Sequence, residues 1–368
     1  MSIVFVVNNY PPHVGGVEFH VQALARHLVQ RGMSVTVVAL SDRSSTADED
    51  GVHVIRRAHW LPFLGVMSFP RPGTLRELVR QFHSQDVTVV STQTRFFPMS
   101  YLGGRLARRI STRHVHTEHG SGYVRGVALP IALASWLVDH TLGRWVLRHA
   151  DAVLGVSDGV VDFVRELAGV SALSFPAAIE LAPWVSARSS ERAGRFVFVG
   201  RLVQGKGWDT LLDAVDLLGS RADRLPFQVD IVGGGPDEVA LRVRVERGEF
   251  GERVRVHGRL EGESLRDVLT GAILVNPTTL SEGFQTTLIE AVAIGAQVVT
   301  FDVPGARSLV DDGAPVHITS ARTAESLSES MLGALAHPLP DYPVARLAKW
   351  GWEKRSADFA KLVGTLVG

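Results

Sequence analysis

The sequence has no cysteine, and this lack excludes several kinds of chemistry at once. Disulfide bonds, thiol nucleophiles and thiolate metal sites are impossible, and a cysteine-free chain is typical of a reducing, cytosolic setting. Net charge is also lacking, since 38 basic residues balance 38 acidic ones. A neutral chain has no global field that attracts nucleic acid or an acidic polymer, so we expect no nucleic-acid partner.

Long hydrophobic runs are lacking as well. The longest, Val127–Val138, has 12 residues, whereas a membrane-spanning helix needs about 20. The N-terminus has no basic region before its apolar stretch, so Ile3–Val7 predicts a buried first strand and not a signal peptide. We therefore expect a cytoplasmic protein whose contact with a membrane, if any, is peripheral, at the inner face.

What the chain does have is length and a regular alternation of patterns. Its 368 residues suffice for two domains of about 180 residues each. Apolar runs typical of buried parallel strands alternate with helical patterns, which predicts an α/β fold of two Rossmann-like domains. The polar, acidic segment Ser41–Asp50 predicts a surface loop. We expect an N-terminal domain over residues 1–184, a C-terminal domain over 185–345 and a terminal helical segment over 346–368.

A glycine pair follows the first predicted strand. Gly15 and Gly16 lie between Ile3–Val7 and a helical pattern that leads to the strand Ser34–Leu40. Glycine pairs most often mark tight turns. In this βαβ position, however, glycine also allows the backbone to approach a diphosphate closely.

The stretch Ser281–Ala296 combines a polar loop with a helical pattern between two predicted strands. Glu282 lies in the loop, and Glu290 lies about two turns into the helix. The helix N-terminus offers unpaired N–H groups and a partial positive charge, which suit a phosphate over Phe284–Thr287. Carboxylates repel a phosphate, so the two glutamates are better suited to hydroxyl groups. Hydroxyl groups joined to a diphosphate indicate a sugar nucleotide.

Lysine is scarce in this chain. Of its 38 Lys and Arg residues four are lysines, and Lys206 is the only one before Lys349. It lies in a glycine-flanked loop after the predicted strand Phe196–Val199, five residues beyond Arg201. Two cations in such a loop are either solvated surface charges or a site for an anion. The nearby Gly-Gly-Gly-Pro segment does not fit a dinucleotide fingerprint, because Pro236 interrupts it.

A histidine-rich segment, Arg113–Gly120, predicts a strand that ends in a polar loop. His116, Glu118 and His119 crowd together there, and such side chains can bind a metal ion. Their positions on one extended segment do not converge on one ion, so we predict no metal site and no cofactor. Polar loop histidines are the simplest interpretation of the residues alone.

The pattern as a whole resembles family 4 glycosyltransferases. Glu282-Gly283-Phe284 and Glu290-Ala291, with the Gly295 turn and the flanking strands, are similar to the family's signature of two glutamates separated by seven residues. The resemblance extends over essentially the whole chain. It implies the GT-B fold, in which two Rossmann-like domains face each other across a cleft and a C-terminal helix crosses back to the first domain.

The resemblance also implies a function and a role for each matching residue. It implies a retaining transferase that moves a sugar from a nucleoside diphosphate sugar, UDP before GDP, to an acceptor hydroxyl. Arg201 and Lys206 would neutralise the departing diphosphate, Glu282 would bind donor-sugar hydroxyls and Glu290 the ribose, and His119 would lie near the reacting carbon. The donor-binding set is Gly15, Gly16, Phe284, Gln285, Thr286 and Glu290.

A basic and aromatic segment bears on the acceptor. Six arginines lie between Arg95 and Arg125, with Phe96, Phe97 and Tyr101 among them and Glu118 as the one acid. The segment predicts either a helix with a solvated basic face or a patch that contacts anionic lipid headgroups. The second interpretation favours a lipid-linked glycan as acceptor over a polysaccharide end or a natural product.

Two other classes of protein fit parts of the same pattern. A sugar-nucleotide epimerase or hydrolase of the same fold would need groups that abstract a proton from the sugar or activate water. A non-catalytic binding module would use the basic segment as its working surface. The joint presence of His119, Arg201, Lys206 and the two glutamates favours the transferase.

Overall fold

The chain divides into two units, and its last helix belongs to the first. The structure, a computed structural model, describes residues 1–13, 15–63, 67–124, 128–189, 194–219, 226–248, 250–280 and 283–368. The first unit comprises Met1–Ala178 and Trp352–Gly368, and the second comprises Ile179–Gly351. The chain thus leaves the first unit once and returns to it through its last helix.

The first unit is built on a sheet that has nine strands among the described residues. These are β1 Ser2–Val6, β2 Ser34–Ser41, β3 Ser45–Glu49, β4 Val52–Phe63, β5 Met67–Pro70, β6 Val89–Gln93, β7 Arg113–Glu118, β8 Ala152–Gly155 and β9 Leu173–Ser174. The order is β3-β4-β2-β1-β6-β7-β8-β9, with β5 also paired to β4. Pairings are parallel except those of β3 and β5 with β4.

Helices cover both faces of this sheet. They are α1 Gly16–Gln30, α2 Thr74–Phe82, α3 Pro98–Arg109, α4 Leu129–Val138, α5 Arg144–His149, α6 Asp158–Ala168 and α15 Trp352–Val367. A π-helical turn, Asp139–Gly143, joins α4 to α5. The doubly covered sheet explains the continuous apolar sequence of β1. Phe5 packs on one face, where its ring stacks 6.0 Å from that of Phe359 in α15, while Val4 and Val6 pack with Leu102 of α3 on the other.

The second unit repeats this architecture in a simpler form. Its strands are β10 Arg195–Val199, β11 Gln228–Val232, β12 Val254–Gly258, β13 Ile273–Asn276, β14 Gln297–Thr300 and β15 Val316–Ile318. They form a parallel sheet in the order β12-β11-β10-β13-β14-β15. Its helices are α7 Leu181–Ser186, α8 Trp208–Gly219, α9 Glu238–Arg247, α10 Gly262–Leu269, α11 Thr286–Ala293, α12 Ala306–Asp311, α13 Ala324–Ala336 and α14 Val344–Leu347, with 3₁₀ turns at Gly251–Arg253 and Ala348–Trp350.

The predicted fold class is confirmed: two parallel α/β units, with the last helix packed in the first unit. One local prediction is wrong. The segment Ser41–Asp50, predicted as a loop, contains the strand β3. Most of its residues are exposed, and it pairs antiparallel with β4 at the sheet edge. Polar and charged residues are usual on an exposed edge strand, so composition alone suggested a loop.

Candidate functional site

In each sheet the strand order reverses direction at one point. In the first sheet, the chain winds outward in one direction from β1 and in the other from β6, and these two strands are neighbours. In the second sheet β10 and β13 are the corresponding neighbours. Loops that leave the carboxyl ends of such strand pairs diverge and form a crevice, where open α/β sheets usually bind ligands. These loops carry most of the predicted site residues.

In the second unit, the loop after β10 carries Arg201 and Lys206. Arg201 is exposed and Lys206 is half-buried. The loop is held on one side by the turn after β11, where the Leu202 N–H donates to the Gly234 carbonyl over 3.0 Å. A Cβ at Gly233 would lie 1.8 Å from the Gly200 carbonyl oxygen, so only glycine allows this approach. The Gly-Gly-Gly-Pro segment therefore supports the cationic loop by packing.

The loop after β13 holds the other side of the same cationic loop. The Thr279 N–H donates to the Gly205 carbonyl over 2.8 Å, and the Thr278 hydroxyl donates to it over 3.2 Å. Gly207 has φ +91, and a Cβ there would lie 2.3 Å from the Pro277 carbonyl oxygen. The backbone on either side of Lys206 is therefore fixed against the loop that leads to α11.

Helix α11 presents its N-terminus at this edge of the sheet. Gln285 is its N-cap residue and Thr286 its first residue. The Gln285 side chain is buried, and its Nε2 has no hydrogen-bond acceptor among the described residues. The Phe284 ring packs against Trp350 and over Gly305, so a contribution of Phe284 to donor binding would come from its main chain. Glu282 lies outside the described residues, and its role remains a prediction.

Glu290 is the fifth residue of α11 and is half-buried. Among the described residues its carboxyl group has no hydrogen-bond or ion-pair partner. Burial raises the pKa of Glu290 to about 7. A partly dehydrated carboxyl group without a cation beside it is suited to accept hydrogen bonds from ligand hydroxyls.

We expect binding of a nucleoside diphosphate to depend on this carboxyl group near neutral pH. Ribose hydroxyls favour the ionised form, and the free protein holds a proton on Glu290 below its raised pKa of about 7. Affinity should therefore fall by up to about tenfold from pH 7 to pH 6. Calorimetric titration with UDP in buffers of different ionisation enthalpy should show proton release at pH 7.

The Glu290→Gln variant is the control for this prediction, because it keeps the shape of the side chain and cannot titrate. Any proton uptake or release that belongs to the diphosphate itself persists in this variant and can be subtracted. Equal proton release in the two proteins would show that Glu290 does not meet the ligand.

In the first unit, His119 directly follows β7, beside the central strand β6. Its Nε2 lies 2.8 Å from Oε1 of Gln93 on β6, and its ring meets that of His20 on α1 edge-on, with centroids 4.8 Å apart. Burial lowers the pKa of His119 to about 4, against the opposing effect of Glu118. The ring is therefore neutral at physiological pH and can exchange hydrogen bonds with hydroxyl groups.

His116 and Glu118 of this histidine-rich segment are engaged with protein groups. His116 contacts Thr92 through Nδ1 at 2.8 Å and Glu118 through Nε2 at 3.3 Å. Burial by itself would raise the pKa of Glu118, but Arg95 and His116 hold it well below its usual range. Glu118 is therefore an ionised, fully buried carboxylate.

The two glycines lie at the start of α1, after the loop that follows β1. Gly15 is the N-cap residue in an extended conformation, and Gly16 is the first helical residue. A Cβ at Gly16 would meet nothing within 4 Å, so packing does not explain glycine at this position. Close approach of a ligand would explain a glycine here. The role of Gly16 in donor binding remains a prediction.

The predicted basic patch is only partly a surface. Arg95 and Phe97 are buried, and Arg113 pairs with Asp151 over 3.0 Å. Arg125 lies outside the described residues. Arg113 is still exposed, and the other exposed or half-buried arginines form a cluster on α3. Arg105, Arg108 and Arg109 line an open groove of about 410 Å³ with Tyr101 and Trp145. A run of arginines in sequence does not show which of them has a buried partner.

Sequence reasoning missed the residues that hold His119 in place. Gln93 contacts its ring, and Glu118 contacts its backbone. The sequence does contain a signal for Glu118, because His114, His116 and Glu118 alternate along one strand. Polar residues with a period of two on a strand in the middle of a sheet indicate a buried polar network.

Comparisons with known proteins show the family and the fold of the chain. Residues 14–174 match the family model described as Glycosyltransferase Family 4, and residues 193–337 match that of Glycosyl transferases group 1. The phosphatidylinositol N-acetylglucosaminyltransferase gpi3 subunit of Schizosaccharomyces pombe is 24% identical over 90% of this chain and 71% of its own. The GDP-mannose-dependent alpha-(1-6)-phosphatidylinositol monomannoside mannosyltransferase of Mycolicibacterium smegmatis is 26% identical over 98% of both chains.

Among solved structures, the Anabaena protein HepE in complex with UDP superimposes with a TM-score of 0.72 at 16% identity. The match covers 99% of this chain and 100% of HepE. Together the two family models span most of the chain, one on each unit. The chain therefore belongs to the family 4 glycosyltransferases and has their GT-B fold.

Proposed function

We propose that this glycosyltransferase is a retaining enzyme that uses a nucleoside diphosphate sugar, UDP-sugar in first place, and transfers to a hydroxyl of a lipid-linked acceptor. The observation that carries the proposal is the arrangement after β10 and β13. Two cations lie on the loop after β10, and the chain after the neighbouring strand β13 leads to the N-terminus of α11 and to its half-buried Glu290. A diphosphate with a hydroxyl-rich group on either side suits this set of groups.

In the proposed reaction, negative charge develops on the departing diphosphate. The bond between the sugar C1 and the diphosphate oxygen breaks, and Arg201, Lys206 and the N-terminus of α11 receive the growing negative charge. The acceptor oxygen forms the new bond to C1 on the face that the diphosphate leaves. Its proton passes to the departing phosphate oxygen, so atoms and charge balance. His119, as a neutral ring, orients a hydroxyl of the donor sugar.

UDP is preferred because HepE is solved with UDP and because a pneumococcal O-GlcNAc transferase of similar fold is solved with UDP and GlcNAc. The mycobacterial relative, by its name, depends on GDP-mannose. Both family models describe transferases, which does not favour an epimerase or hydrolase.

Calorimetric titration with UDP, GDP and ADP tests the nucleotide. We expect saturable one-to-one binding of UDP that is about tenfold or more tighter than that of GDP and ADP. A preference for GDP would overturn the choice of base. If no diphosphate bound, the proposed donor class would be wrong.

We further expect the reaction to proceed without a divalent metal ion. Arg201, Lys206 and the dipole of α11 supply positive charge at the diphosphate, where other transferases use a cation. Turnover should therefore be unchanged after dialysis against EDTA. Loss of activity with EDTA, and its return with Mg²⁺ or Mn²⁺, would contradict this electrostatic account.

A lipid acceptor is supported by the names of two relatives, both of which include phosphatidylinositol, and by the surface of α4. This helix is almost wholly apolar and buries none of its residues. Leu129, Leu133 and Leu137 are 80%, 64% and 56% exposed, and Trp136 is 47% exposed. None of the helices in the described part of the chain is long and apolar enough to cross a membrane, so contact through α4 would be peripheral.

The arginines on α3 and α5 favour an anionic bilayer as the partner of α4, while the acids of this region, Asp158, Asp162 and Glu166, lie on α6. The fully described elements α3, α4, α5 and the π-turn carry five arginines. Their one acid, Asp139, is buried against Arg95. A second copy of this surface would bring arginines against arginines, whereas anionic headgroups complement the arginines while the leucines and Trp136 enter the interface.

We expect the protein to bind vesicles of phosphatidylcholine with phosphatidylinositol more tightly than vesicles of phosphatidylcholine alone. The Leu133→Ser/Leu137→Ser variant should lose about tenfold or more of this affinity, because each leucine buried in the interface contributes about 1.5–3 kcal/mol. Leu173→Ser, at a leucine 54% exposed on β9, is the matched control. Unchanged vesicle binding, or a dimer that the double substitution dissolves, would contradict the membrane surface.

A further inference from the structure

A buried carboxylate lies directly beneath the His119 loop. Glu118, at the end of β7, is 0% exposed. Its Oε1 accepts from the N–H groups of His119 and Gly120 over 3.0 and 2.8 Å and from Arg95 Nη1 over 3.0 Å. Its Oε2 accepts from the Arg95 N–H over 2.9 Å and lies 3.3 Å from His116 Nε2. A buried charge is costly unless it is fully hydrogen-bonded, so a carboxylate here indicates a role beyond packing.

Arg95 connects this carboxylate to a second one. Its guanidinium group donates to both oxygens of Asp139 over 2.9 and 3.1 Å and to the Gly122 carbonyl over 3.1 Å. It also lies 4.5 Å above the Phe163 ring. Asp139 begins the π-turn, an element that is rare and frequent at functional sites. The network therefore ties the loops after β6 and β7 to the helix that runs from α4 into α5.

Side chains of β6 and β7 continue this hydrogen-bond network away from the His119 loop. The Thr92 hydroxyl on β6 lies 2.8 Å from His114 Nε2 and 2.8 Å from His116 Nδ1. His116 in turn contacts Glu118. His116 thereby orients one oxygen of Glu118, and the groups that fix both oxygens belong to one strand, β7, and to the loops after β6 and β7.

Glu118 and Gln93 hold His119 in two different ways. Glu118 fixes the backbone N–H groups of His119 and Gly120, and Gln93 fixes the ring through Nε2 at 2.8 Å. We propose that Glu118 and Gln93 are positioning residues for His119, which set the backbone and the ring of the histidine before the donor sugar arrives. The proposal rests on the proposed function, because it assumes that His119 meets that sugar. Groups held in place before binding avoid reorganisation during the reaction.

Two substitutions test whether Glu118 positions His119 or only stabilises the fold. Glu118→Gln keeps the size of the side chain but replaces one oxygen with an NH₂ group. Both oxygens accept hydrogen bonds from N–H groups, so the NH₂ group would face donors at either position. Asp139→Asn is the matched control, since it also removes a carboxylate from Arg95 but does not touch the His119 loop. Both variants should lower the melting temperature. We expect kcat to fall about 10–100-fold in Glu118→Gln alone, with UDP affinity unchanged, and to stay within about threefold in Asp139→Asn.

A double-mutant cycle shows whether Glu118 acts through His119. In a His119→Ala background, Glu118→Gln should cost no further activity. A full additional loss in that background, or equal losses of kcat in Glu118→Gln and Asp139→Asn, would overturn the positioning role. A His119→Ala variant with normal turnover would instead remove His119 from the proposed function itself, so the two failures are distinguishable.

Gln93→Met keeps the proposal testable if Glu118→Gln does not fold, because it removes no charge. It should shift the ¹⁵N resonances of the His119 ring and lower kcat with little change in melting temperature. An unchanged His119 spectrum together with normal kcat would overturn the role of Gln93 in holding the ring.

Discussion

Replacing Lys206 with alanine is expected to slow sugar transfer by about tens- to thousands-fold while the fold stays intact. The proposed reason is the loss of one cation from a partly desolvated contact with the departing diphosphate, which costs about 2–5 kcal/mol. The backbone around Lys206 is fixed by Gly205 and Gly207 contacts with the β13 loop. The alanine variant should therefore keep its loop, and turnover under saturating donor is the measurement.

Lys354→Ala is the matched control for this prediction. Lys354 is one of the other three lysines, lies on α15 and pairs with Asp358 one turn along the helix. Its loss should leave turnover unchanged. Near-normal transfer by Lys206→Ala, with an unchanged melting temperature, would remove Lys206 from the site.

The two glutamates of the α11 region should fail in different ways when they are substituted. Glu290→Ala loses charge-assisted hydrogen bonds to ribose, each worth about 1.5–3 kcal/mol. It should therefore weaken bare UDP and UDP-sugar alike. Glu282→Ala should leave the affinity for bare UDP almost unchanged, or raise it slightly because a negative charge is removed. The same variant should weaken the binding or the turnover of the full donor.

Calorimetry on both variants with both ligands measures this contrast. The partial burial of Glu290, which raises its pKa to about 7, favours a strong effect because its hydrogen bonds form in a partly dehydrated setting. Equal losses for both ligands in both variants would show that the carboxylates only hold the loop. The claim that Glu282 binds the sugar would then fall.

The sequence predicts the fold class well because the pattern of apolar residues within each strand and helix follows from the burial of that element. Strands covered on both faces need continuous apolar runs, as in Phe196–Phe198, and parallel strands need helices between them. The edge strand β3 escaped prediction because its exposed positions are free to be polar.

The sequence indicates which residues belong to the candidate site, but it does not indicate that they lie close together in space. Arg201, Lys206 and Glu290 stand out by their residue types and by resemblance. That their loops adjoin follows from β10 lying beside β13, which no local pattern encodes.

Long-range partners explain the remaining errors. Arg95 looked like one member of a basic surface, but its carboxylate partners Glu118 and Asp139 lie 23 and 44 residues along the chain. The apolar sequence of α4 is typical of a buried helix, yet none of its residues is buried. In both cases the side chain's environment depends on the tertiary structure and not on its neighbours in sequence.

The central claim is acceptor-dependent transfer of a sugar from a nucleoside diphosphate with retention of configuration. Proton NMR of the purified protein with its tightest-binding UDP-sugar and phosphatidylinositol vesicles tests it most directly. We predict that UDP and a new glycoside form in equal amounts, that the glycoside has the anomeric configuration of the donor, and that omitting the vesicles stops both. Equal consumption of the donor without acceptor, or a glycoside of inverted configuration, would contradict the account.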